Sequence, residues 1–393
     1  MIYLDNAATT KICEKAVKAM EPYLKEEYGN PSGIYSIGRK TREQVEKVRW
    51  TIAKSLNCKP ENIFFTSGGT ESDNWVLDNG AYLGNHIITS KIEHHAILNK
   101  CKQLENEGIK VTYVDVDKNG FVDMEQIKTD YKDGFENPVR TSLVSIMLAN
   151  NEIGTIEPVC KIGEIAHKHG ILFHTDAVQA MCHVPINVTE MNIDLLSASA
   201  HKFHGPKGVG FMYMKNSAKL EPFIHGGAQE RARRAGTSNV PGIVGMGQAV
   251  KLALGTLDKD THTIINMRNY IIDRILGEIP DVTFDGPCID ANAVSAGSPA
   301  GSLKRLPSNM HFCFKDVSGD SLLIMLDMNG ICASSGSACA AGSIDPSHVL
   351  LAIGRSKGET KGALRLSIDK NLTKEDADYA IDALKAAVAR LRG

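Results

Sequence analysis

Lys202 closes an apolar run. The stretch Ile193-Asp-Leu-Leu-Ser-Ala-Ser-Ala-His-Lys-Phe-His-Gly-Pro-Lys-Gly-Val-Gly210 reads as a buried strand to Ala200, then His201-Lys202, then a Gly/Pro turn. A lysine held among small residues at a strand end sheds part of its hydration. That disfavours the ammonium and makes the neutral amine accessible near pH 7. A neutral lysine is the nucleophile that forms Schiff bases with carbonyl compounds. The competing reading is a solvated loop lysine.

Other groups could do chemistry beside it. Thr66-Ser-Gly-Gly-Thr-Glu-Ser72 joins a strand to a helix, and Gly68 and Gly69 let the backbone curl so that free N–H groups face an anion. The spacing is not that of a nucleotide P-loop, so a phosphate monoester fits better than a triphosphate; a plain turn is the alternative. Asp176, in Phe173-His-Thr-Asp-Ala-Val-Gln179, ends an apolar strand, where a carboxylate needs a cation or several donors. A protonated ring nitrogen would serve, and so would a helix-capping role. Glu93-His94-His95 follows another strand, so a ring there stacks on a planar ligand, shuttles a proton, or caps a helix. Asn150 and Asn151 bond a ligand or shape a turn. Cys339 lies in Ala333-Ser-Ser-Gly-Ser-Ala-Cys339-Ala-Ala-Gly-Ser343, a small, polar stretch expected to be mobile and exposed. A thiol there is better placed as a nucleophile than as core, unless it is incidental. Arg365, in Leu364-Arg-Leu-Ser367, sits within an apolar strand and wants a carboxylate, from a substrate or from an internal salt bridge.

The elements that must position these groups alternate. Strands are expected at 63–66, 86–89, 111–116, 142–148, 171–174, 193–199 and 209–214, with helices from 45–56, 70 onward, 96–107 and 162–169 between them. Short apolar strands between helices predict an α/β fold with a mostly parallel sheet buried on both faces. Residues 66–72, 93–94, 150–151, 176–179 and 199–202 all follow strand carboxyl ends, the edge where open α/β sheets bind ligands. Beyond residue 255 the pattern changes. Helices near 261–279 and 373–392 flank strands near 309–314 and 364–368. The expected division is a large domain over 15–255 and a smaller α+β domain of 1–14 with 256–393, carrying the cysteine loop at about 332–345. Gly286 to Pro307, rich in Ala, Gly, Ser and Pro, reads as a flexible insertion.

Bulk properties exclude several classes. The 393 residues are 42% hydrophobic and 23% charged, ordinary for a soluble globular chain, and a net charge of −2 favours neither nucleic acid nor an anionic membrane. No span and no secretory leader is expected. Nine cysteines, an odd number without a C-x-x-C pair, argue against a disulfide framework or a zinc ribbon, and so for a reducing, cytoplasmic compartment.

Taken in order, the motifs resemble the NifS/IscS-type cysteine desulfurases, pyridoxal-phosphate enzymes of the class-V aminotransferase group (fold type I). The resemblance runs from Tyr3-Leu-Asp-Asn-Ala-Ala-Thr-Thr10 through Thr66 to Ser72, Glu93-His94, Asn150-Asn-Glu-Ile-Gly154 and His174 to Gln179. It continues through Ser199-Ala-His-Lys202, Gln229-Glu-Arg, Ala235-Gly-Thr237 and Ser334-Ser-Gly-Ser-Ala-Cys339 to Leu364-Arg-Leu-Ser367. The cysteine stretch is similar to the long-loop group and lacks the sister group's Gly-His-His-Cys.

The resemblance implies the roles. Lys202 would bind pyridoxal 5'-phosphate covalently and later move the substrate Cα proton. Asp176 would pair with the ring nitrogen, His94 would stack on the ring, and Gln179 would bond the phenolic oxygen. Gly69, Thr70, Ser199 and His201 would hold the phosphate, joined by Thr237 of a neighbouring subunit in a homodimer with shared sites. Asn151 and Arg365 would hold the substrate carboxylate or the adjacent ring oxygen. Cys339 would take sulfur from L-cysteine as a persulfide, leaving alanine, and pass it to an acceptor such as an iron–sulfur scaffold protein or a thiolation pathway. Alternatives are a selenocysteine lyase or another fold-type-I aminotransferase; the latter has no need of Cys339. Two stretches depart from the family pattern: Asp290 to Leu303 is longer, and Arg-Ala-Arg-Arg-Ala between Glu230 and Gly236 is more basic.

Overall fold

A computed structural model describes residues 1–131, 139–216, 218, 220–288, 303–336 and 346–393. Cys339 itself, residues 337–345 and the middle of the small-residue stretch, 289–302, lie outside the described residues.

The first part of the chain runs β1 (Ile2–Tyr3), α1 (Glu14–Lys25), α2 (Ser36–Ser55), β2 (Ile63–Thr66), α3 (Gly69–Leu83), β3 (His86–Ser90), α4 (His95–Asn106), β4 (Lys110–Val114) and α5 (Met124–Thr129). It continues with β5 (Thr141–Ser145), α6 (Val159–Lys168), β6 (Leu172–Asp176), β7 (Leu195–Ser199), β8 (Gly210–Met214) and the single turn α7 (Gln229–Ala232). Seven of these strands form one sheet in the order β2-β8-β7-β6-β5-β3-β4. All pairs are parallel except those of β8, which runs against β2 and β7. Successive residues face opposite ways, and both faces are apolar. Ile88, Val144 and Leu196 enter one core cluster, and their neighbours Ile87, Leu143 and Leu195 enter another.

α8 (Val240–Glu278) spans 39 residues. Its first turns bury Val240, Ile243, Met246 and Val250 in the large-sheet core, and its last turns bury Ile271, Ile272 and Ile275 in a second core. It is long and apolar enough to cross a bilayer, but both apolar ends are used in these cores. Residue 255, where the sequence pattern shifts, lies inside this helix rather than in a linker. The rest is β9 (Val282–Phe284), β10 (Asn309–Phe314), α9 (Gly319–Met328), β11 (Ile331–Cys332), α10 (His348–Ala352), β12 (Ala363–Ser367) and α11 (Lys374–Arg392). Strands β12-β10-β9 form an antiparallel sheet, while β1 pairs in parallel with β11, and Leu4 enters the second core.

The described ends of Gly286–Pro307 are not a free insertion. Arg305 is buried and donates to the carbonyls of Pro287 and Asn309, and Leu306 joins the large core. The guanidinium finds carbonyl acceptors and the Phe284 ring face, which composition alone does not predict. In α1 the apolar spacing is present, yet Val17 and Leu24 are exposed and only Ala16 is buried.

Candidate active site

Because six strands run one way, their carboxyl ends share an edge. A cavity of about 530 Å³ opens there. Ser67 to Glu71 follow β2, His94 and His95 follow β3, Asn151 and Glu152 follow β5, Val178 and Gln179 follow β6, and His201 and Lys202 follow β7; all line it. The reversed β8 presents its amino end, Lys207-Gly208, to the same edge. Every site residue expected from the sequence lines this cavity except three. The Asn150 side chain instead donates to Ile92 O and accepts from the amides of Glu152 and Ile153, and so shapes the turn. Thr237 is exposed and elsewhere, and Cys339 is outside the described residues.

Lys202 projects from the turn after β7. Its Nζ donates to the carbonyls of Ala7 and Ala8 at 2.7 and 2.8 Å. Gln179 Nε2 donates to the same Ala7 carbonyl at 2.9 Å. The N-terminal segment is tied over the turn again where Thr10 Oγ1 donates to His201 O, and where Thr9 Oγ1 meets His201 Nδ1. Burial, with the Lys202 charge next, lowers His201 to about 4, so its ring is neutral at pH 7.

Asp176 lies at the floor as the last residue of β6, 6% exposed. One oxygen accepts from Val178 N at 2.8 Å, a local turn bond. Burial still pushes its pKa up to about 6. Beneath it Asp73 is fully buried, with Oδ1 unpartnered among the described residues, and desolvation followed by the Asp176 charge pushes its carboxyl well above the usual range. His174, in the same strand as Asp176, is bonded on both ring nitrogens to Ser145 and Ser197 and stands 3.7 Å from Asp73 Oδ1; burial lowers it to about 3, so it supplies no cation. The floor is thus carboxyl-rich, and burial outweighs the Lys202 charge that acts on Asp176, an arrangement suited to a cationic ring.

His94 caps α4, its Nδ1 accepting from Ala96 N at 3.1 Å. Burial, then Lys202, lowers it to about 4. The ring is neutral at pH 7, and because Nδ1 is an acceptor the proton sits on Nε2. Capping and a pocket role therefore coexist.

At the opposite end α3 begins at Gly69. A β-carbon there would stand 2.5 Å from Val178 Cγ2, so glycine lets the backbone pass close to the β6 loop. The free amides and the dipole of this helix favour an anion. Just outside, Glu71 forms a two-point pair with Arg234, which is where one of the unexpected arginines goes. Another residue of that basic segment, Glu230, pairs with buried Arg49 at 2.7 and 2.9 Å.

Arg365 is 1% exposed and lines the cavity. Its Nη2 donates to Asp5 Oδ1 at 2.8 Å, and its Nη1 to the carbonyls of Asn151 and Gly336 at 3.1 and 3.0 Å. In this structure, then, the internal pair that the sequence left open is formed. Sequence reasoning missed Asp5 as that partner. It also missed Asp73, His348, and Glu93, whose buried carboxyl is raised to about 8. Asp5 and Asp73 join the site only through tertiary contact, so no local pattern marks them.

Residues 2–380 match the family described as aminotransferase class-V. The chain is 48% identical over 395 residues to the cysteine desulfurase IscS of Clostridium botulinum (strain Hall), covering 100% of this chain and 95% of that protein. Among solved structures it resembles a NifS-like protein at 35% identity and a TM-score of 0.88, covering 99% of each chain. It also resembles SspA in complex with cysteine at 32% identity and a TM-score of 0.79, covering 95% of this chain and 100% of that one. With a family match over nearly its whole length and a relative this similar end to end, the chain belongs to the class-V aminotransferases.

Proposed function

We propose that this protein is a cysteine desulfurase that uses pyridoxal 5'-phosphate to take sulfur from L-cysteine. The observation that carries the reading is one cavity holding a lysine amine, a buried carboxyl and a helix N-terminus, each from a different strand end. These residues fit the cofactor. Asp176, raised to about 6 because burial outweighs the Val178 bond and the Lys202 charge, suits a protonated ring nitrogen. The start of α3, with Gly69 and Thr70, would hold the phosphate with Ser199 and His201, while His94 would lie against the ring and Gln179 would bond its phenolic oxygen. Bound there, the cofactor supplies an electron sink for carbanion character at the substrate Cα.

The chain's own residues do the rest. Lys202 would hold the cofactor through its amine and would carry the substrate Cα proton. Asn151 and Arg365 orient the substrate carboxylate, Arg365 from its pairing with Asp5. The Cys339 thiolate forms an S–S bond to the substrate sulfur as the C–S bond breaks. The electron pair stays with the carbon skeleton, which is protonated to alanine. The relative named for desulfuration and the neighbour holding cysteine support this reading.

The persulfide is handed to a protein acceptor, such as an iron–sulfur scaffold, in the cytoplasm. The active unit is a homodimer in which Thr237 completes the partner's phosphate site. In support, Thr237 is exposed on the segment that Arg234 anchors to Glu71, and Ile34 and Tyr28 are 86% and 78% exposed.

Lys202→Ala and Cys339→Ser test the reading together. The first should lose the borohydride-reducible link to the cofactor. The second should keep the cofactor absorbance and its change on adding L-cysteine, yet release no sulfide. A reducible link surviving in Lys202→Ala, or full sulfide release by Cys339→Ser, contradicts it.

A further inference from the structure

Glu152 has no part in the chemistry above, yet it is 2% exposed and lines the cavity. Its backbone is fixed on both sides. The amide donates to Asn150 Oδ1 at 2.8 Å, and the carbonyl accepts from Asn309 Nδ2 at 3.0 Å. Its side chain reaches across to the small sheet's unit, where Oε2 accepts from Ser347 Oγ at 2.6 Å. The same oxygen lies against Gly336, where a β-carbon would be only 3.2 Å from it and 3.3 Å from His311 Nε2. Gly336 has φ +98°, so its lack of a side chain is needed twice.

Gly336 and Ser347 are the stems on either side of Cys339. One buried carboxyl group therefore bonds Ser347 and fills the space beside Gly336. Each stem is held again by other groups. Arg365 Nη1 donates to the Gly336 carbonyl, and Ser347 caps α10 through Leu350 N. His311, behind Gly336, is fixed through Nδ1 to Asp285 Oδ2 at 2.9 Å. A buried polar side chain is retained where its hydrogen bonds repay desolvation. Here those bonds join two points far apart in the chain and adjacent to the pocket. Fixing both ends of a segment beside a site raises the fraction of time its middle spends near that site.

We propose that Glu152 is a positioning residue for sulfur transfer: its carboxyl group bonds Ser347, packs beside Gly336 and so fixes in the pocket wall the two stems that flank Cys339 in the chain. The inference rests on Cys339 as the sulfur acceptor. Glu152 acts through the stems and not on the cofactor or the reacting atoms.

The test uses full-length holoenzyme as wild type, Glu152→Ala, Glu152→Gln, Ser347→Ala and Cys339→Ser. Sulfide release, the absorbance change on L-cysteine binding, and amide hydrogen exchange across 346–350 are measured. Glu152→Ala should lower kcat about 10–100-fold. Its KM should stay within about twofold and its absorbance change should be kept, the split expected when binding is untouched. Exchange at 346–350 should quicken. Glu152→Gln keeps an acceptor oxygen and should restore kcat to within about threefold. Ser347→Ala removes the donor while leaving the buried carboxyl in place, so it reports even where Glu152→Ala does not fold; its kcat should fall about threefold or more.

Wild-type kcat and exchange in Glu152→Ala or, where that variant does not fold, in Ser347→Ala overturn the proposal. So does a rise in KM matching the fall in kcat, which would place Glu152 on the substrate. Cys339→Ser separates the two claims. Sulfide release at the wild-type rate in that variant removes Cys339 as acceptor, while exchange at the stems still decides whether Glu152 holds them.

Discussion

Asp176 and Asp285 are both buried aspartates, and the protein treats them in opposite ways. Asp285, in the small sheet's unit, is also desolvated, but His311 Nδ1 at 2.9 Å and Arg355 Nε at 2.7 Å outweigh burial and hold its carboxyl below the usual range. Cys313 Sγ donates to it as well. Asp176 has the turn bond from Val178 and the Lys202 charge, which burial outweighs, leaving it raised to about 6. One carboxyl is satisfied from within and is structural. The other waits for a cation that the cavity admits. A buried charge marks a ligand site only when the protein itself leaves it unbalanced.

The sharpest break in this comparison is in stability. Asp285→Ala should cost about 3–5 kcal/mol, because the buried His311 and the Arg355 guanidinium lose their partner. Asp176→Asn should leave the cofactor-free protein as stable or more so at pH 7, because burial disfavours this carboxylate more than the Val178 bond and the Lys202 charge favour it. Thermal unfolding of both variants decides this. A destabilised Asp176→Asn apoprotein would show that its carboxylate is already balanced.

Activity should invert the order. Asp176→Ala should lower kcat by about 10²–10³, a loss typical of removing one preorganised electrostatic partner. Asp285→Ala, assayed well below its unfolding temperature, should keep most of its turnover. The pH dependence carries the same contrast. Asp285 contributes stability above its unfolded pKa and loses it as pH falls through its lower folded value. For Asp176, folded value about 6, the apoprotein loses stability as pH rises from about 4 to about 6. Urea midpoints measured across pH 3–8 for wild type, Asp285→Asn and Asp176→Asn should give wild-type-minus-variant differences of opposite slope, rising with pH for Asp285 and falling between about 4 and 6 for Asp176.

Gly69→Ala is a smaller perturbation. Its β-carbon would press on Val178 at 2.5 Å, a strain of about 1–3 kcal/mol. Cofactor affinity should fall by one to two decades in a titration, with the fold retained. Smallest of all is Glu93→Gln. Burial raises this carboxyl to about 8, so it holds its proton at pH 7, and an amide can keep the bond from Met147 N. The cost should be about 1 kcal/mol or less.

The large sheet was legible because each strand is a short apolar run buried on both faces, bounded by turns. The gathering of Gly69, Lys202, Asp176 and His94 at one edge was legible for a related reason: each stands at a strand end, where side-chain type and position coincide. What the sequence hid depends on distance along the chain. Arg365 left two partners open because Asp5 lies 360 positions away. α9 escaped because Leu322 to Leu326 is apolar without a helical period, and α8 crosses residue 255 without a break. Arg305 looked like part of a loose stretch because composition cannot show that backbone carbonyls await it.

The most direct test of the central claim is to load the purified protein with pyridoxal phosphate and supply L-cysteine with a reductant, then quantify alanine and sulfide in the same samples. Equal amounts of the two, rising together over many turnovers, are expected. Sulfide accompanied by pyruvate and ammonia, or a transaminated product without sulfide, would contradict desulfuration through Lys202 and Cys339.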